Sequence, residues 1–159
     1  MYQKMRLLIL CTGNSCRSQM AEGWIKHLKS DAIDVCSAGI ETHGLNPYAV
    51  AVMKESGVDI SAHKSQNLKE FLDKRFDYVI TVCGHAHETC PVFPQEATVL
   101  HVGFDDPPKL AENAHSMEEI LGHYRRVRDQ IRDFVQTLPK ALTQLSQQPE
   151  KSNRLTFHT

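Results

Sequence analysis

Near its amino terminus the chain reads "MRLLILC", an almost unbroken apolar run of the kind that forms a strand buried on both faces. Residues 18–29 follow with Met20, Ala21, Trp24, Ile25 and Leu28 at helical spacing, and Ser18 is a candidate cap. "AIDVCSAG" is a second short strand ending in Gly39. Asn46-Pro47 opens a helix through "PYAVAVMKES", and Gly57 stands just past its end. A short helical piece at 68–72 precedes "FDYVITVC" and "TVLHVGF", the third and fourth strands. "DDPP" then breaks the pattern. Residues 117–138 form a long amphipathic helix with Ile120, Leu121, Tyr124, Val127, Ile131, Phe134 and Leu138 on one face. It reads as a packing element, and its Arg125, Arg126, Arg128 and Arg132 as a solvated face. From Pro139 the chain turns polar, so residues 139–159 are expected to be a flexible tail outside a domain of residues 1–138. The alternation predicts an α/β fold: a single three-layer domain with a four-stranded parallel sheet, flanking helices and right-handed crossovers.

Composition narrows the function classes. With 159 residues there is room for one domain with a proper core. A net charge of -1 offers neither a field for nucleic acid nor a polybasic membrane patch. The longest apolar run is too short to span a bilayer or to serve as a signal-peptide core. A cytoplasmic monomer is therefore expected, in which the 5 cysteines rest reduced. Any disulfide among them is then transient and catalytic.

The turn "CTGNSCRS" lies where an open parallel sheet binds its ligands, outside the carboxyl end of a strand. Gly13 permits a tight turn, and N–H groups converging at a helix start favour a tetrahedral oxyanion. Thr12, Gly13, Asn14, Ser15, Cys16, Arg17 and Ser18 form the candidate binding loop. Arg17 adds a planar fork matched to two oxygens of an anion. The same positive environment favours the thiolate of Cys11, the candidate nucleophile. Ser18 is placed to donate a hydrogen bond to that sulfur, and Asn14 to brace the turn. Cys16 is read as a packing or protective thiol. At these residues the chain resembles the low-molecular-weight tyrosine phosphatase superfamily, whose signature is a Cys-x5-Arg-Ser phosphate loop. The resemblance implies a phosphotyrosine phosphatase I-like fold with flavodoxin-like strand order.

In that order the first and third strands are neighbours, with carboxyl ends about 4.8 Å apart. Cys83, which ends "DYVITVC", then comes within the Cα separations of ~4.4 to 6.8 Å that a disulfide to Cys11 requires. Cys90 follows in "CGHAHETCP". On a helix the two Cα atoms would stand ~10.5 Å apart along the axis, so pairing Cys83 with Cys90 requires unwinding, which Gly84 and Pro91 suit. Zinc binding by these Cys and His residues and plain buried cysteines are the competing readings. Cys36, in "DVCSAG", reads as core.

The paired spacing of Cys83 and Cys90 makes the chain similar, over residues 6–138, to the thioredoxin-coupled arsenate reductases. That resemblance implies a Cys11/Cys83/Cys90 disulfide relay with thioredoxin as donor and arsenate as substrate, no resident cofactor, and Asp106 as general acid by its match to the family's Asp-Pro motif. Asp105 is then the structural neighbour. Some members hold potassium with residues matching Asn14, Glu22 and Ser37, but Lys64 and Gln66 stand where those members carry Thr and Asp. Lys64 is expected either at the cation position or at the surface, and no metal is expected. A low-molecular-weight phosphatase and a non-enzymatic redox or zinc sensor are the alternatives. "ETHGLNP" supplies no aromatic wall for a phosphotyrosine ring.

Overall fold

In the computed structural model, residues 3–83 and 96–147 and the backbone of 154–157 are described. The four apolar runs become β1 (Met5–Cys11), β2 (Ile33–Gly39), β3 (Tyr78–Cys83) and β4 (Thr98–Phe104), all parallel. A short fifth strand, β5 (Arg154–Phe157), extends the sheet to the order β2-β1-β3-β4-β5. Every connection between neighbouring strands is a crossover, so all carboxyl ends lie on one edge. Between the pairs Thr81↔His101 and Cys83↔Phe104 the register of β3 on β4 slips by one residue.

Helices α1 (Arg17–Leu28), α2 (Pro47–Glu55), α3 (Pro107–Ala111), α4 (Met117–Gln136) and α5 (Lys140–Ser146) complete the described chain, with a 3-10 turn at Leu68–Phe71. Alternate residues of β1 serve two cores. Leu7, Ile9 and Cys11 pack with Met20 and Trp24 of α1, Met53 of α2 and Val127 of α4. Leu8 and Leu10 pack with Leu68, Phe71, Phe76 and Val79 on the other face. Burial of each large aliphatic here is worth roughly 1.5–3 kcal/mol, which is why β1 is central. Asn46 caps α2 by accepting from the N–H groups of Tyr48 and Ala49, with Pro47 at the first turn. Gly57, at φ 81, ends that helix in the left-handed conformation its position suggested.

Two expectations need correction. The segment after Pro139 is not simply a flexible tail, since it supplies α5 and β5. Its polar average hides a helical stripe of Leu138, Ala141, Leu142 and Leu145, of which Leu142 is fully buried. Ser18 is not the cap of α1: the helix starts at Arg17 with Cys16 in the cap position and no side-chain cap bond.

Candidate active site

Cys11 is the last residue of β1 and is 4% exposed at the floor of the turn. The following loop bends through Asn14, whose φ of 48 lies in the left-handed region that Asn tolerates better than most residues. That bend aims the Asn14 N–H at Cys11 Sγ, 3.2 Å away. Ser18 Oγ lies 2.9 Å from the same sulfur. Ser18 Oγ also accepts a bond from Asn14 Nδ2 at 2.9 Å, which holds it beside the sulfur.

Asn14 is fully buried and ties the loop to three other elements. Its Nδ2 also donates to Ser37 Oγ of β2 at 2.9 Å. Its Oδ1 accepts from the Gln66 N–H at 2.7 Å and from Gln19 Nε2 of α1 at 3.0 Å. Gln19 Nε2 further donates to the carbonyls of Asn14 and Lys64. Its Oε1 lies 3.0 Å from His63 Nδ1, which stands 3.1 Å from Glu22 Oε2. Burial lowers the affinity of His63 for a proton, against the opposing pull of Glu22. Lys64 itself is exposed, and the ammonium beside Glu22 is that of Lys26, 3.3 Å away. What Lys64 gives this network is its backbone carbonyl, so of the two expectations for it the surface one holds.

Arg17 is 5% exposed, and its guanidinium gathers the far side of the site. Nη1 donates to the carbonyl of Phe104 at 3.0 Å and to that of Val82 at 3.3 Å, at the ends of β4 and β3. Nη2 lies 3.6 Å from Asp106 Oδ1. Asp106 precedes α3 but makes no side-chain cap bond there, which leaves its carboxylate to the site. Cys11, Gly13, Arg17, His43 and Asp106 are among the walls of one cavity of about 540 Å³, of a size suited to a small ligand. Thr12, Ser15 and Cys16 border it too. Burial pushes the Cys16 thiol far up, more than neighbouring Arg17 offsets, so it stays protonated.

The structure thus brings together Cys11, Asn14, Arg17, Ser18 and Asp106. β1 and β3 are paired in register through Leu10↔Thr81, and Cys83 ends β3, half-buried. Cys90 and the histidines of "CGHAHETCP" lie outside the described residues. Cys36 is half-buried at the second core.

Several side chains at the site carried no signal at the sequence level. The His43 ring lies over Gly13, so a Cβ there would come 2.3 Å from Nδ1, and Nε2 of His43 meets Glu41 at 2.7 Å. The Tyr124 hydroxyl accepts from Asn46 Nδ2 at 3.0 Å, and the Asn46 N–H donates to the carbonyl of Ser15. Desolvation pushes the Tyr124 phenol up to about 12. The arginines of α4 are not one solvated face. Arg128 is 11% exposed and holds the Val52 carbonyl at 2.9 Å and Glu55 at 3.0 Å. Arg126 holds Asp105 at 3.1 Å, and Asp105 is 4% exposed.

The sequence pattern described as low molecular weight phosphotyrosine protein phosphatase matches residues 6–151. The chain belongs to this family. It is 51% identical over 134 residues to an arsenate reductase of Halalkalibacterium halodurans, covering 84% of this chain and 94% of that one. An arsenate reductase of Bacillus subtilis is 47% identical over 135 residues, covering 82% and 95%. Among solved structures, an arsenate reductase in the phosphate binding state superposes with a TM-score of 0.65 at 33% identity, covering 84% and 95%. A low molecular weight protein tyrosine phosphatase from T. tengcongensis shares the fold with a TM-score of 0.59 at 22% identity, covering 87% and 99%.

Proposed function

We propose that the chain reduces arsenate to arsenite through a relay of three thiols regenerated by thioredoxin. The observation that carries this reading is a buried thiol at the end of β1, bonded by Asn14 N–H and Ser18 Oγ in a cavity that Arg17 and Asp106 also line, with a second cysteine ending the neighbouring strand. The arsenate reductases to which the chain is similar support arsenate as the substrate.

The loop N–H groups and Arg17 hold the oxyanion. The Cys11 thiolate attacks arsenic, Asp106 gives its proton to a departing oxygen, and water leaves a Cys11 sulfur–arsenic(V) adduct. The Cys83 thiolate then attacks the Cys11 sulfur. The sulfur–arsenic bond breaks with its electron pair passing to arsenic, so arsenite departs and a Cys11–Cys83 disulfide remains. Cys90 attacks Cys83, which frees the Cys11 thiolate and leaves a Cys83–Cys90 disulfide for the donor dithiol to reduce.

The test supplies arsenate, thioredoxin, its reductase and reduced nicotinamide. Wild type turns over continuously, and Cys90→Ser stops after one arsenite per chain. Phosphomonoester hydrolysis undiminished in Cys83→Ser, without arsenite formation in the wild type, would establish the phosphatase reading instead. Stoichiometric zinc with neither activity would establish a sensor.

A further inference from the structure

We propose that Arg126, acting through Asp105, is a positioning residue for Asp106 and governs the step in which the oxyanion loses its oxygen. The proposal rests on the role given to Asp106 above. Beyond Phe104 the chain runs extended, with Asp106 at φ -90 and ψ 104. Neighbouring side chains in such a stretch point to opposite sides. The two carboxylates accordingly diverge: Asp105 Oδ2 meets Arg126 Nη1 of α4 at 3.1 Å, and Asp106 Oδ1 faces Arg17 Nη2 of α1 at 3.6 Å.

The next two residues, Pro107 and Pro108, have no N–H with which to tie the backbone down. A side-chain anchor on Asp105 compensates for that loss, and it lies one residue before the acid. The Asp105 side chain is 6% exposed against 25% for Arg126, so the carboxylate is the buried partner. Without the guanidinium, the buried Asp105 carboxylate loses this partner and either takes up a proton or turns toward other donors, water among them. The turn rotates the peptide that carries Asp106. Displacement of a catalytic group by about 1 Å can cost up to ~100-fold in rate.

Among the described residues, the charged and titratable groups around Asp106 are Cys11 from β1, Cys16 from the loop, Arg17 from α1, Glu41 and His43 across the cavity, Tyr124 and Arg126 from α4, and Asp105 beside it. Arg126→Met removes one positive charge from the neighbourhood of the two aspartates, so Asp106 keeps its proton to higher pH. Asp105→Asn keeps an oxygen for Arg126 while removing the charge, so Asp106 gives up its proton at lower pH. Loss of packing alone moves neither.

The experiment measures single-turnover arsenite formation by the reduced full-length chain across pH, with inorganic phosphate as competitor. Arg126→Met is expected to slow the reaction roughly tenfold, part of the ~10²–10⁴-fold that a general acid supplies. Its alkaline limb should rise, that of Asp105→Asn should fall, and phosphate affinity should stay within about twofold in both, since the loop donors are untouched. Limbs that do not move, limbs that move in the same direction, or phosphate affinity falling in step with the rate would overturn the proposal. If Arg126→Met does not fold, the limb of Asp105→Asn decides alone. A wild type that makes no arsenite refutes the arsenate reading, a result separate from any of these.

Discussion

Replacing Asn14 by Ala tests whether the loop is held by one side chain. The variant loses the bonds from Asn14 Nδ2 to Ser18 and Ser37 and those accepted by Oδ1 from Gln19 and Gln66. Ser18 Oγ keeps Cys11, and Gln19 Nε2 keeps the Asn14 and Lys64 carbonyls, so those two groups are largely compensated. Ser37 Oγ, 1% exposed, and the Gln66 N–H lose their bonds to Asn14. A buried group left unpaired costs about 1–3 kcal/mol, with Ser37 at the full cost and the part-buried Gln66 N–H at the lower end. Ala at φ 48 adds about 1 kcal/mol of backbone strain. With water entering the small space left, the sum is about 3–5 kcal/mol, or roughly 6–20 °C in Tm for a chain of this size. Urea unfolding of the reduced protein measures it. Asn14→Gly relieves only the strain, so it should recover about 1 kcal/mol of the loss. A total cost below about 1 kcal/mol, or glycine doing no better than alanine, would refute the view that this residue knots the loop.

Gly39→Ala should be worse than its size suggests. A Cβ there would sit 2.7 Å from Asn14 N, Glu41 O and Thr12 O, all backbone, so phosphate affinity measured by calorimetry should fall with stability. Leu142→Ala should cost about 2–4 kcal/mol in urea unfolding, because a fully buried leucine leaves a cavity. His63 holds its proton less tightly when folded than in the unfolded chain, where the ordinary value is about 6.5. The stability that neutral His63 contributes is full above that value and is lost as pH falls through it, because the unfolded chain then binds more protons. The unfolding midpoint of His63→Gln should therefore fall less between pH 7 and pH 5 than that of wild type.

Strand and helix placement was legible because period-2 and period-3.6 patterns are local. Cys11, Gly13, Arg17 and Ser18 were legible for the same reason, being one turn. The partners of α4 were not, since Asp105 and Arg126 are brought together only by the fold. Arg128 did carry a signal: it stands four residues after Tyr124, on the stripe that Val127 and Ile131 continue. Its charge masked that position, and burial of its stem with the head on Glu55 and the Val52 carbonyl explains the exception. Strand β5 could not be read, since its four residues are too few to set an alternating pattern against the polar segment around them.

The slip between β3 and β4 sets the place where Arg17 can reach both Val82 and Phe104. One residue deleted from the end of β4 would straighten the pairing and carry the aspartates a step back from the rim. This corner is thus more sensitive to insertions and deletions than to changes of residue type, and variation in chain length should be confined to stretches away from it.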